Sequence, residues 1–156
     1  PLRVGMLGGW DRKPLRPSRL TVDEQFSHIS LWCLWSAPII IGAPIDTLDA
    51  FTLSLLTNSE MLDIDQDPLG IQALEIEVPG GEVLVKPMDD GTVAVGLFNP
   101  GEEPTDVAVT WAQAGVSGRQ RVRDVWRQKD IGVFESSFTA AAVPRHGVVV
   151  VRLFPQ

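Results

Sequence analysis

Around Asp67-Pro68-Leu69-Gly70 the spacing of apolar residues changes from about 3.6 to about 2, the periods of a helix face and of a strand face. Before this point Val22, Phe26, Ile29 and Cys33 recur at helical spacing; after it Leu74, Ile76 and Val78 alternate with Glu75 and Glu77. One uniform architecture cannot serve both rhythms. Proline and glycine at the change mark a boundary, so residues 1–70 read as an α/β segment and residues 71–156 as an all-β domain.

Thr21-Val22-Asp23-Glu24 has the spacing of a capping box, which predicts a helix from Thr21 to about Trp35, ended before Pro38. Ile39-Ile40-Ile41 is β-branched on consecutive residues, so a short strand buried on both faces is expected, as in a parallel sheet. Asp46 is placed as the cap of a second helix reaching about Thr57, with Leu48, Phe51 and Leu55 inward and Asn58 as its stop. One further helical turn covers 59–65. Helix, strand and helix in this order are the rhythm of β/α units. In the second half the expected strands are 73–78, 83–87, 93–98, 106–111, 120–126, 131–134, 138–141 and 148–153. Turn sequences such as Pro79-Gly80-Gly81, Asp89-Asp90-Gly91, Asn99-Pro100-Gly101 and His146-Gly147 separate several of them, which predicts an antiparallel sandwich of Greek-key type.

Charge narrows the partners. With 13 Lys plus Arg against 20 Asp plus Glu, the formal net charge is −7, the wrong sign for a phosphate backbone or an anionic membrane surface. The apolar runs are too short to span a bilayer as a helix. Cys33, the only cysteine, reads as a small core residue. His28 and His146 are too few and too far apart for a zinc pattern, so neither metal nor cofactor is expected; His28 reads as a hydrogen-bonding packing residue and His146 as part of a turn. No nucleophile elbow and no phosphate-binding glycine loop occurs. Asp63, Asp65 and Asp67 read as caps and turn formers, and Asp89 with Asp90 as a hairpin tip. The glycine-rich stretch from Val4 to Asp11 has two readings, an ordinary loop or the catalytic end of a barrel strand.

Several of these segments come in a familiar order. Met6-Leu7, Leu20-Thr21, Glu24-Gln25, His28-Ile29-Ser30-Leu31-Trp32, Ala37-Pro38-Ile39-Ile40-Ile41-Gly42, Leu53-Ser54-Leu55-Leu56-Thr57-Asn58 and Gln66-Asp67-Pro68-Leu69-Gly70 resemble the α-galactosidase (melibiase) family of retaining glycoside hydrolases. The likeness continues through Val95-Gly96-Leu97-Phe98-Asn99, Val122-Arg123-Asp124-Val125-Trp126 and Pro144-Arg145-His146-Gly147-Val148. It implies the last β/α units of a (β/α)8 barrel at 1–70, followed by an antiparallel β-sandwich at 71–156. A complete barrel takes roughly 250 residues, so this barrel is incomplete and the chain reads as cut from something longer.

The resemblance also places both catalytic aspartates upstream of Met6-Leu7. Retention needs two carboxyls roughly 5 Å apart, so no residue here is assigned a catalytic role and the isolated chain is expected to be inactive. Met6 is implied as a substrate-pocket residue. Gly5 stands where the family has an aspartate, which leaves the galactose preference open. The implied partners are an α-galactoside and the absent barrel segment, and the parent is expected to be secreted. Self-association is expected through an unpaired strand edge and bared Leu31, Trp32, Leu34 and Trp35. Two alternatives stand beside this reading: a carbohydrate-binding module using exposed Trp111 or Trp126, and a structural subunit whose catalytic half is a separate polypeptide.

Overall fold

The computed structural model describes residues 1–9 and 14–156; Trp10 and Asp11 lie outside them. A short hairpin of β1 (Met6–Leu7) and β2 (Arg16–Pro17) opens the chain. Helix α1 (Val22–Leu34) starts at the expected capping box: Thr21 Oγ1 accepts from Glu24 N at 3.2 Å and Glu24 Oε2 from Thr21 N at 2.8 Å. A 3-10 turn at Ile45–Thr47 precedes α2 (Ala50–Leu56) and α3 (Ser59–Asp65).

Two expectations for this half are corrected. Ile39-Ile40-Ile41 is not a buried strand: it makes one isolated parallel bridge, Leu2 with Ile41, and Ile40 is 58% exposed. Among the described residues the run has one strand-like neighbour, Leu2; Ile39 packs on the core while Ile40 and Ile41 stay exposed. Asp46 is not the cap of the second helix. It falls in the 3-10 turn, and Asp49 caps α2 by accepting from Thr52 N at 2.7 Å. Asn58 does more than stop a helix, since its Oδ1 caps α3 through Met61 N.

From residue 74 onward the chain is antiparallel β. The strands are β3 (Leu74–Val78), β4 (Gly81–Pro87), β5 (Val93–Phe98), β6 (Thr105–Thr110), β7 (Gln120–Asp124), β8 (Lys129–Phe134), β9 (Ser137–Val143) and β10 (Val148–Pro155). Six pair in the order β3-β4-β5-β10-β7-β8, and β6 pairs with β9 in a second sheet. A four-residue helix, α4 (Trp111–Ala114), replaces the end of the strand expected at 106–111; Thr110 and Gln113 form its capping box.

The six-stranded sheet is a middle layer, and it is apolar on both faces. Val83, Val95, Leu97, Val151 and Leu153 face the β6-β9 sheet and α4. On the opposite face Leu84, Ala94, Phe98 and Val150 meet Ile29, Cys33, Leu34, Leu55, Met61 and Ile64 of the helices. Strand β5 is therefore buried at every residue. Gly96 permits the closest approach, because a Cβ there would stand 2.5 Å from Leu34 Cδ1 and 2.6 Å from Phe98 Cε2. Leu34, expected to be bared, is fully buried on this face; Trp35 is 42% exposed.

Candidate functional site

The N-terminal hairpin is where the family resemblance places substrate contacts. Gly5 has φ +67°, and its N–H donates to Gln25 Oε1 at 3.2 Å while its carbonyl accepts from Ser18 N at 2.7 Å. A Cβ at this position would lie 2.8 Å from both Thr52 Cγ2 and Thr52 Oγ1. Glycine is thus required by backbone conformation and by space. Thr52 is buried, and its Oγ1 has no hydrogen-bond partner among the described residues. Met6 pairs with Pro17 in the hairpin and is half-buried.

Beside it a depression of about 430 Å³ is lined by Leu2, Arg3, Leu7, Gly8, Arg16 and Gly42 among others, with Leu7 rather than Met6 in its wall. Arg3 and Arg16 give it guanidinium donors suited to hydroxyl or carboxylate oxygens. His28 supports the floor: its Nε2 accepts from Arg3 N at 3.1 Å. Burial, then the Arg3 charge, lower its pKa, so the imidazole is held neutral as an acceptor.

Of the clustered aspartates, Asp67 is engaged in structural hydrogen bonds. Asp67 Oδ1 accepts from Leu69 N and Oδ2 from Asp89 N, which ties the segment before β3 to the β4–β5 turn. Asp65 lies near Lys86, and burial raises its pKa against the opposing pull of that charge. Lys86, on β4, is completely buried; its Nζ donates to Ser36 Oγ at 2.7 Å and to the Ile71 carbonyl. Burial lowers the Lys86 pKa and pushes the Cys33 thiol up to about 12. This group was missed in sequence, where only a lysine on an otherwise apolar strand marked it. Among the described residues no three His, Cys, Asp or Glu side chains are grouped to hold a metal ion.

A second polar junction joins α1 to the β9–β10 turn. His146 Nδ1 lies 2.9 Å from Glu24 Oε1 and its Nε2 lies 3.3 Å from Glu102 Oε1, while its carbonyl accepts from Ser27 Oγ at 2.6 Å. Neither tryptophan forms an exposed flat platform. Trp111 is 3% exposed in the core, and Trp126 is half-buried, packed against Phe26 with its indole N–H donating to Ser30 Oγ.

The chain is thus a β-sandwich whose larger sheet is covered on its outer face by helices, with a cationic depression at the N-terminal hairpin. Residues 79–153 match the α-galactosidase C-terminal β-sandwich domain. The chain is 32% identical to alpha-galactosidase 3 of Arabidopsis thaliana over 96% of its own length and 36% of that protein. It is 33% identical to the alpha-galactosidase of Coffea arabica, over 88% of the chain and 37% of the relative. A GH27 β-L-arabinopyranosidase structure from Geobacillus stearothermophilus superposes with a TM-score of 0.89 at 27% identity, covering 99% of this chain and 36% of that one. The chain belongs to the α-galactosidase family, of which it is a C-terminal portion. It spans little more than a third of the length of these relatives.

Proposed function

We propose that the chain is the end of a (β/α)8 barrel, at 1–70, joined to the C-terminal β-sandwich, at 71–156, of a retaining glycoside hydrolase acting on terminal α-linked galactosyl or related sugars. One observation carries the barrel assignment. Leu2 and Ile41 form a parallel bridge, with Leu2 N donating to the Ile40 carbonyl at 2.8 Å, and α1 lies between them in sequence. Parallel partners joined through a helix are the β/α crossover from which such barrels are built.

In this reading the open edge and faces of Ile40 and Ile41 receive the upstream barrel units, which bring both catalytic aspartates. Met6 borders the sugar pocket from the hairpin. The absence of a side chain at Gly5 supports testing sugars beyond galactose, and the Geobacillus structure has a counterpart in complex with arabinose. Co-expression of this chain with its upstream barrel segment should yield hydrolysis of aryl α-galactosides or aryl β-L-arabinopyranosides with retention, and the chain alone should give none. Turnover by the purified chain alone would overturn the assignment.

A further inference from the structure

We propose that the cleft between helix α1 and the β7–β10 end of the sheet is an accessory binding site for a single neutral pyranose. The cleft holds about 200 Å³, below the roughly 300–1,000 Å³ of sites for drug-sized ligands, which suits one sugar ring. Phe26 and Trp126 build one wall, fixed edge to face with centroids 4.9 Å apart and planes at 79°. Because the Trp126 N–H is taken by Ser30 Oγ at 2.9 Å, the half-buried indole lines the cleft with carbon, as an apolar wall and not as an open platform.

Polar groups converge on the same space. Asp23 enters from the first turn of α1 and, unlike its neighbour Glu24, has no hydrogen-bond partner among the described residues. Asp124, which also lines the cleft, accepts from the backbone N of Arg127 at 2.9 Å and from its Nη1 at 2.7 Å. That pair holds a guanidinium whose side chain is 77% exposed and whose other N–H groups have no partner among the described residues. A carboxylate acceptor and a guanidinium donor lining one cleft can serve adjacent sugar hydroxyls. Two carboxylates against one guanidinium leave a negative charge, which turns anions away and admits a neutral polyol. The walls come from both halves of the chain, and the site shares no residue with the depression at the hairpin. It stands whether or not the proposed activity does.

The test is a titration of the full chain with D-galactose and L-arabinose to about 100 mM, far above the millimolar range in which so small a contact binds. The chain has five tryptophans; the indole N–H signal of Trp126 is assigned by its loss in Trp126→Phe. A saturable shift of that signal alone is expected. Asp23→Asn and Arg127→Ala should each weaken binding about fivefold or more while the rest of the spectrum is kept. A static Trp126 signal overturns the proposal, as does a shift that both variants leave unchanged or that glycerol reproduces equally.

Discussion

Gly96→Ala is the sharpest probe of how the helices sit on the sheet. In an open strand, replacing glycine by alanine stabilises by about 0.5–1 kcal/mol, because the unfolded chain loses less freedom. Here the new methyl would stand 2.5 Å from Leu34 Cδ1 and 2.6 Å from Phe98 Cε2, and Leu34 is itself completely enclosed. Overpacking of this kind costs about 1–3 kcal/mol, so the net effect should be destabilising. Leu34→Ala alone leaves a cavity costing about 2–5 kcal/mol. In the double variant the methyl at 96 and the Phe98 ring enter the space that Leu34 vacates. The combined loss should fall short of the sum by about 1 kcal/mol or more, a coupling expected only of residues in contact. Urea denaturation followed by far-ultraviolet circular dichroism measures all three variants. A neutral or stabilising Gly96→Ala, or strict additivity in the double variant, would mean that α1 does not rest on β5.

Asn99 is 2% exposed; its Nδ2 donates to the carbonyls of Glu103, Val143 and Pro144, and its Oδ1 accepts from Gly101 N. Asn99→Asp turns a carboxylate oxygen onto three carbonyls and should cost more than the about 1–3 kcal/mol of an unsatisfied neutral group; equal melting of variant and wild type refutes this. The Glu24 carboxyl is held below its usual range by the Thr21 backbone N–H and then by His146. A depressed acid adds stability above its unfolded pKa of about 4.5 that is lost as pH falls through the lower folded value, so Glu24→Gln should flatten the decline in melting temperature on acidification, and parallel curves would contradict it. The exposed Trp35, Ile40, Ile41 and Ile45 should drive self-association of the isolated chain at micromolar concentration, which Ile40→Lys reduces in sedimentation velocity; a monomer in both cases removes the idea.

Legibility followed the range of the interactions. The Thr21–Glu24 box and the β5 run 93–98 were read correctly because both are decided within a few residues. Asp46 and Asp49 are equivalent as caps in sequence, but Pro44 and Ile45 lead into a 3-10 turn that takes the first of them. The Thr110–Gln113 box was as readable as the first, yet the alternating run before it carried the strand reading one residue too far, onto Trp111. Burial of the Ile39 to Ile41 run depends on neighbours other than Leu2, which no local pattern can supply. Lys86 is invisible for a similar reason: Ser36 and Ile71, its partners, are 50 and 15 residues away in sequence.

The doubly covered sheet bears on how such a piece can be exchanged between proteins. The segment shared with the family's β-sandwich, 79–153, omits β3 and every helix beneath Leu84, Ala94, Phe98 and Val150. Transplanted at that limit, the sandwich would carry a greasy underside into its new host. A portable piece must instead keep the helices that cover this face, so recombination or fusion joints placed between α1 and β4 should be purged.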